Sequence, residues 1–248
     1  MDPRPAVIDK RLQHISKIIA VSGGKGGIGK SSVASMLALI LSRGEKRVGL
    51  LDLDFCGPST HVILGVKDVY PQEEKGIVPP VVHNMSYMSI VYYAGDKPSP
   101  LRGTDVSNAI IELLSITQWG ILDFLIVDMP PGISDTALDA IRLMRRTQFL
   151  NVTTPSKLAF ETVRKVVQMQ KELRLPIVGV IENMKRTNST YIVDAVNALG
   201  VPYLGSVSHD DRFENALGNA DGLVSTQFAM DMNSIIEHTD TFRSENRR

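Results

Sequence analysis

The chain has 248 residues and a mass of 27.2 kDa, and its 27 Lys and Arg residues balance its 27 Asp and Glu residues, so its formal net charge is zero. Hydrophobic residues make up 43% and charged residues 22%, which is typical of a folded globular protein and excludes a disordered one. The neutral balance weighs against non-specific nucleic-acid binding, and the single cysteine excludes a disulfide framework and a multi-cysteine zinc site within one chain.

The N-terminal region, residues 1–15, is predicted to be an extension without an apolar run long enough for a secretory signal. The longest uncharged stretch, residues 76–95, contains Pro79, Pro80 and several polar residues, so we do not predict that it spans a membrane. We therefore expect a cytoplasmic protein with no membrane attachment.

Strand-like apolar runs alternate with helical patterns from about residue 16 to the end. The strand-like runs are residues 18–21, 48–53, 124–127, 149–152, 177–181 and 201–204. Apolar residues recur at helical spacing within residues 33–41, 163–167, 192–199 and 228–236. Continuous apolar strands separated by helices predict an α/β fold with a three-layer, doubly wound, mostly parallel sheet and helices on both faces.

One region and one terminus depart from this alternation. Residues 56–100 are rich in proline and include a period-two stretch at 85–93, which predicts a loop followed by a hairpin or edge strands. Residues 241–248 are polar and are predicted to be a frayed tail. Because no linker or repeat is apparent, we predict a single domain over residues 1–248.

A glycine-rich segment at residues 24–31, Gly-Lys-Gly-Gly-Ile-Gly-Lys-Ser, fits the phosphate-binding pattern Gly-x-x-x-x-Gly-Lys-Ser. It follows an apolar strand and precedes an amphipathic helix, so backbone N–H groups and the helix N-terminus can face one anion. We predict that Lys30 contacts the β- and γ-phosphates and that Ser31 ligates Mg²⁺. The competing interpretation is a glycine-rich turn that binds nothing. The predicted nucleotide-binding residues of this segment are Gly24, Gly26, Gly27, Ile28, Gly29, Lys30, Ser31 and Ser32.

Carboxylates follow two of the predicted strands. Asp52 and Asp54 leave the strand at 48–53 on the same side, and Asp128 ends the strand at 124–127 before a Pro-Pro-Gly turn. All three then lie at the sheet edge where ligands bind in open α/β folds, and Asp128 is in the position that commonly holds Mg²⁺ through water. The alternative interpretation is that these carboxylates are simply solvated residues at strand ends. It accounts better for Asp52 alone than for Asp52 and Asp54 together. The three elements together predict nucleotide hydrolysis.

The second lysine of the glycine loop, Lys25, resembles the deviant phosphate loop of the MinD/ParA/Mrp class of ATPases. That resemblance implies that Lys25 crosses a dimer interface to the partner's nucleotide, and hence a homodimer that sandwiches ATP. A solvated loop charge is the simpler interpretation of Lys25 taken alone.

Several further motifs resemble the Mrp/ApbC type of iron–sulfur cluster carrier ATPases, in the order of that family. They are Asp54-Phe55-Cys56-Gly57-Pro58-Ser59, Arg102-Gly103, Trp119-Gly120, Asp128 to Asp135, Thr153-Thr154-Pro155 and Ile181-Glu182-Asn183-Met184, and the resemblance covers roughly residues 17–224. It implies that Asp54 orients the attacking water, that Asp52 belongs to the surroundings of the metal, and that Asn183 contacts an adenine base. An Asn at a strand end can also simply cap a turn.

One departure from that family is the absence of its Cys-x-x-Cys. In the family two subunits pool these cysteines to hold a [4Fe–4S] cluster, whereas here Asn183-Met184 is followed by residues 185–191, Lys-Arg-Thr-Asn-Ser-Thr-Tyr, with no cysteine downstream. Thiolates are the usual cluster ligands, and hydroxyl or amide side chains replace them poorly. Cys56 lies in the motif near the nucleotide, where a small buried residue is the simpler interpretation.

Two hypotheses follow. In the first, this chain is an Mg²⁺-dependent ATPase of iron–sulfur cluster assembly or transfer that lacks the usual ligands and acts with a cluster-binding paralogue or an apo-protein client. In the second, it is a MinD/ParA-like ATP-gated dimer that recruits a protein, a membrane or DNA. The predicted helix at 228–236 lies in a segment that contains Asp231 and Glu237 and has no Lys or Arg before Arg243, so we expect no membrane binding. The chain is neutral, and a solvated helix end accounts for Arg142, Arg145 and Arg146, so we expect no nucleic-acid binding either.

Overall fold

The computed structural model describes residues 4–55, 57–94 and 104–243. Cys56 and the Arg102-Gly103 motif therefore lie outside the described residues, as does most of the predicted tail. The strands are β1 (Ile15–Gly23), β2 (Val48–Asp52), β3 (Gln72–Glu73), β4 (Ile77–Val78), β5 (Val81–Val82), β6 (Met85–Ser89), β7 (Leu122–Asp128), β8 (Thr147–Thr153), β9 (Ile177–Lys185) and β10 (Tyr203–Ser208). The helices are α1 (Arg4–Leu12), α2 (Lys30–Arg43), α3 (Thr60–Leu64), α4 (Val91–Ala94), α5 (Thr104–Ile116), α6 (Asp135–Leu143), α7 (Lys157–Glu172), α8 (Tyr191–Ala198), α9 (Asp211–Asn215), α10 (Ala220–Leu223) and α11 (Gln227–His238).

Eight strands form one sheet in the order β10-β9-β8-β1-β7-β2-β6-β5. All neighbours are parallel except β5, which pairs antiparallel with β6 at the edge. The central strands are buried on both faces, which is why their sequences are continuous apolar runs rather than alternating ones. The predicted mostly parallel sheet is confirmed.

Helices cover both faces of this sheet, as predicted. One hydrophobic cluster joins α2 and α11 to inward residues such as Ile19, Leu50 and Ile126, and a second joins α1, α5 and α6 to their chain neighbours Ile18, Leu51 and Leu125. Alternate residues of one strand thus enter opposite layers, as the period of two requires.

The strand order reverses at β1, which lies between β7 and β8. In open α/β sheets ligands bind beyond the carboxyl ends of the strands at such a switch point. The glycine loop follows β1 at this place, so the topology opens a crevice where the sequence predicts phosphate binding.

Two terminal segments are more ordered than the sequence predicts. Residues 4–12 of the predicted extension form α1, whose Ile8 and Leu12 are buried in the second cluster. Within the predicted tail, Phe242 is buried with its ring 6.2 Å from that of Phe124, and Lys17 Nζ donates to the carbonyl oxygen of Thr241. Apolar side chains too sparse to form a periodic pattern are sufficient to dock both segments.

The predicted hairpin lies somewhat earlier than the period-two stretch. His83 and Asn84 both have positive φ, 47° and 63°, and form the two-residue turn between β5 and β6. The last residues of the stretch belong to helix α4 and not to a strand. Over the residues that the structure describes, no helix combines the length and the apolarity needed to cross a membrane.

Candidate nucleotide-binding site

The glycine loop connects the end of β1 to the start of α2. Gly29 has φ of 78° and its carbonyl accepts the first helical hydrogen bond, from Val33 N at 3.0 Å. A Cβ built on Gly26 or Gly27 would meet no atom within 4 Å, so the tip of the loop borders open space. The backbone N–H groups of this turn are therefore accessible to an anion.

Position 29 requires a glycine because its backbone lies close to the side chain of Asn183, near the carboxyl end of β9. A Cβ at Gly29 would collide with Asn183 Nδ2, which donates to the carbonyl oxygen of Ile28 at 2.9 Å. Asn183 is 1% exposed, and its Oδ1 has no hydrogen-bond partner among the described residues. Asn183 thus clamps the loop through its amide N–H₂ and keeps one acceptor unused.

Lys30 is the first residue of α2 and is only 5% exposed. Its Nζ donates to Asp128 Oδ1 at 2.6 Å and lies 3.8 Å from Asp54 Oδ2. The ammonium group is therefore buried between two carboxylates at the ends of β7 and β2. Lys30, Asp54 and Asp128, predicted separately from three motifs, lie together.

Asp128 is fully buried and its Oδ2 has no partner within the part of the chain that the structure describes. Burial raises the pKa of Asp128 to about 6; Lys30 opposes this shift, the neighbouring Asp52 adds to it, and Ser31 opposes it weakly. A buried carboxylate with one free oxygen, beside the Ser31 hydroxyl, has the donor chemistry of an Mg²⁺ site.

Asp52 pairs with Asp128 in the register of β2 and β7, but its carboxylate is engaged by the loop that follows it. Its Oδ1 accepts from Asp54 N at 3.0 Å, and its Oδ2 accepts from Thr60 Oγ1 at 2.7 Å. Thr60 Oγ1 in turn lies 2.9 Å from the Tyr87 hydroxyl. Burial raises the pKa of Asp52 despite these hydrogen bonds. Asp52 thus anchors the loop that carries Asp54. Its place in the surroundings of the metal, which the family resemblance implies, stays a prediction.

The Pro-Pro-Gly turn after β7 contacts the glycine loop through the backbone. Gly132 N donates to the carbonyl oxygen of Gly23 at 2.9 Å, and Gly132 has φ of 72°. A Cβ on Gly132 would lie 3.4 Å from the Gly24 carbonyl oxygen. The turn after Asp128 and the phosphate loop are therefore coupled by direct contact.

Two predicted features lie on the surface. Lys25 is exposed and makes no ion pair or hydrogen bond with the described residues. Residues 186–190, which follow Met184 and Lys185 where the family's cysteines are expected, form an exposed loop beside α8. Among the described residues no cluster of three His, Cys, Asp or Glu side chains is arranged to hold a metal ion.

Sequence reasoning missed Thr60 and Tyr87, which position Asp52, and Thr162, against which Gly24 packs. Thr60 directly follows the Gly-Pro-Ser motif and is the first residue of α3. A residue type that often starts helices at this position was a signal that the sequence offered. Tyr87 lies in the neighbouring strand β6, and only the strand order brings it to Asp52.

A glycine loop with an accessible tip, a buried lysine and two strand-end carboxylates at the switch point define the class of P-loop nucleotide-binding proteins. The sequence model of one family in that class, described as ParA: NUBPL iron-transfer P-loop NTPase, matches residues 14–239. The chain belongs to this family.

Relatives of known name agree with that assignment. The chain is similar to an iron–sulfur cluster carrier protein of Pseudomonas fragi, with 40% identity over 70% of the chain and 62% of the relative. It is also similar to the cytosolic Fe-S cluster assembly factor Nubp2 homolog of Aedes aegypti, with 35% identity over 86% of the chain and 90% of the relative. The chain thus spans less than two thirds of the length of the bacterial carrier.

Solved structures confirm the fold. A nucleotide-binding protein of Archaeoglobus fulgidus in complex with ADP superposes with a TM-score of 0.74 at 27% identity, over 89% of the chain and 92% of that protein. Structures of MinD and ParA-family proteins, at lower identity, share the fold alone. The predicted MinD/ParA-like P-loop fold and the predicted iron–sulfur carrier family are both confirmed.

Proposed function

We propose that this chain is an Mg²⁺-dependent ATPase that serves iron–sulfur cluster assembly or transfer. The observation that carries the proposal is the Lys30 ammonium, buried between Asp54 and Asp128 beneath a glycine loop whose tip borders open space. Such an arrangement combines a cation for the phosphates, a ligand for the metal and a carboxylate for the attacking water.

In the proposed reaction water attacks the γ-phosphate in line, and the residues of the site divide the binding, metal-holding and water-orienting roles among them. The loop N–H groups and Lys30 bind the phosphate oxygens, while Ser31 and Asp128 would hold Mg²⁺. When bound, Mg²⁺ offsets the negative charge that develops on the phosphates. Asp54, held near Lys30 and hydrogen-bonded to Gly57 N at 3.2 Å, orients the water.

A homodimer that encloses the nucleotide is part of the proposal. Lys25 is exposed at the open side of the loop, where a second copy of the chain could approach the same phosphates. Its charge would add to that of Lys30 only in the dimer, so turnover by a lone subunit should be slow.

Adenine is the proposed base. Asn183 donates its amide N–H₂ to Ile28, which leaves Oδ1 as the acceptor for an incoming base. Adenine presents an exocyclic amine, a donor, where guanine presents an oxygen, an acceptor. An unused acceptor therefore favours ATP over GTP.

The iron–sulfur role rests on the family and on the names of the relatives, while the chain itself has one cysteine. We propose that it supplies nucleotide-driven work to a cluster-binding paralogue or apo-protein client. After anaerobic incubation with iron and sulfide the purified chain should stay colourless, whereas a chromophore with about four irons per dimer would contradict this. The cytoplasmic location stays a prediction.

The test of the ATPase proposal is phosphate release measured with and without Mg²⁺ on three proteins. The unaltered chain should hydrolyse ATP slowly and lose activity in EDTA. Asp54→Ala should bind ATP as before but release phosphate about 100-fold more slowly, since only the water-positioning group is lost. Lys25→Ala should match the unaltered chain in ATP binding and reduce ATP-dependent dimerisation. Normal turnover by Asp54→Ala would refute the assigned role of Asp54.

A further inference from the structure

A second concave site lies at the opposite edge of the sheet from the glycine loop. A cavity of about 420 Å³ is lined by residues that immediately precede β1 and β7, including His14 and Trp119. These are the amino ends of the two strands whose carboxyl ends carry the phosphate loop and Asp128. The cavity is therefore separate from the nucleotide site, and nothing in the proposed ATPase reaction uses it.

The lining of this cavity is basic although the chain as a whole is neutral. Lys10 and Arg11, in the last turn of α1, and His14 all line it, and no Asp or Glu is among its lining residues. The Arg11 guanidinium is fixed by donation from Nε to the carbonyl oxygen of Ser115 at 3.1 Å. Lys10 makes no ion pair with any residue in the described ranges. One wall of the cavity thus presents positive charge that the fold does not neutralise.

A second feature of this cavity is the buried indole of Trp119. It is 4% exposed, lines the same cavity, and its indole Nε1–H has no acceptor among the described residues. Its Cε3 edge is wedged against β2, where a Cβ on Gly49 would lie 3.0 Å away. A buried donor without an acceptor is unfavourable, so a ligand whose acceptor reached this N–H through the cavity would satisfy it.

Residues around the cavity add further positive charge and exposed apolar surface. Arg146 donates to the carbonyl oxygen of Leu12, which places it and its neighbour Arg145 at the end of α1. Val7 lines the cavity and is 40% exposed, and Ile121, two residues after Trp119, is 61% exposed. A complementary ligand therefore carries negative charges next to apolar groups.

We propose that this cavity, with the end of α1 around it, is a docking site for an acidic segment of a partner protein. A carboxylate would accept from Trp119 and pair with Lys10 and Arg11, while an apolar side chain would cover Val7 and Ile121. A nucleic acid fits less well, because its regularly spaced phosphates offer nothing to the apolar rim formed by Val7 and Ile121. A partner here leaves the glycine loop free for the proposed dimer.

The chain offers a built-in reporter, because Trp119 is its only tryptophan. The probe is a labelled peptide of Glu-Glu-Leu-Gly repeats, titrated into the full chain while both the Trp119 emission and the anisotropy of the label are recorded. We expect saturable binding that shifts the Trp119 emission and weakens as NaCl rises from about 50 to about 300 mM. Excess ATP should not compete.

Variants localise the binding. Lys10→Glu should weaken peptide binding by about tenfold, and Trp119→Phe, followed by anisotropy alone, by about fivefold through the lost N–H donor. Lys165→Glu, an equally exposed lysine on α7, makes the same charge change and should leave binding unaltered. The Lys10 and Lys165 variants lie on the surface, so folding should be unaffected in both.

Three outcomes of the peptide titrations would overturn the proposal. They are failure of the peptide to bind at low salt, binding that Lys10→Glu and Lys165→Glu weaken equally, and equal binding of a peptide with Lys in place of Glu. Tighter binding of a DNA duplex than of the acidic peptide, again reported by Trp119, would assign the site to nucleic acid and would also overturn it. None of these results depends on whether the chain hydrolyses ATP.

Discussion

Two loops at the carboxyl edge of the sheet differ in how strongly the fold constrains them. In the phosphate loop, Lys30 and Asp128 are buried and ion-paired, and Asn183 clamps Ile28 from another strand. In the loop at residues 186–190 the side chains are exposed. A substitution in the phosphate loop would disturb the residues packed against it. A substitution in the loop at residues 186–190 would not, which explains how the fold of a cluster carrier family persists here without the cysteine pair.

The sharpest test of this comparison is Lys30→Ala, which removes the buried cation. ATP affinity measured by calorimetry should fall at least about 1000-fold, or about 4 kcal/mol, because the charge-assisted hydrogen bonds to the phosphates are lost. Lys165→Ala is the exposed control and should bind ATP normally. The double variant Lys30→Ala/Asp128→Asn should recover thermal stability, since no unpaired carboxylate stays buried, but not ATP binding.

The burial of Asp128 predicts a pH dependence of stability in metal-free protein. Its pKa is raised from 3.8 to about 6, so the folded chain binds this proton more tightly than the unfolded chain. The stabilisation due to Asp128 is therefore full below about pH 4 and is lost as the pH rises through 6. Relative to Asp128→Asn, the free energy of unfolding should fall by about 2–3 kcal/mol between those values, measured by urea denaturation. A constant difference would contradict the assigned pKa shift.

The hydrogen bond from Thr60 to Asp52 should also be measurable. Thr60→Val keeps the shape of the side chain but removes the hydroxyl donor, which should lower the free energy of unfolding by about 1–3 kcal/mol. Thr60→Ser retains the donor and should lose about 1 kcal/mol or less. If Val and Ser behave alike, the hydroxyl does not anchor Asp52.

The smallest effect is expected in the exposed loop. Thr190 precedes α8, yet its side chain makes no capping hydrogen bond, so Thr190→Ala should change stability by less than about 0.5 kcal/mol. Thr226 caps α11 by accepting from Ala229 N at 3.2 Å, and Thr226→Ala should lose about 1 kcal/mol. Equal losses in thermal melts would mean that the loop is as constrained as a capped helix end.

Local pattern was sufficient to predict most of the sheet and the phosphate loop. The strands beginning near Ile18, Val48 and Phe124 are buried on both faces, so their apolar runs are unambiguous. Helices α1 and α5 were not predicted, although α5 contributes Ile110 and Leu114 to the core. The contacts that dock them come from distant parts of the chain and leave little local signal.

The sequence by itself determined that Lys30, Asp54 and Asp128 lie at or just beyond the ends of elements that a parallel sheet brings to one edge. Only the tertiary structure decided how these groups pair: Lys30 is buried against Asp128, and the carboxylate of Asp52 accepts a hydrogen bond from Thr60. It also placed Trp119 and Lys10, far apart in sequence, around one cavity. Motifs specify residue type and spacing along the chain, whereas burial and pairing depend on strand order.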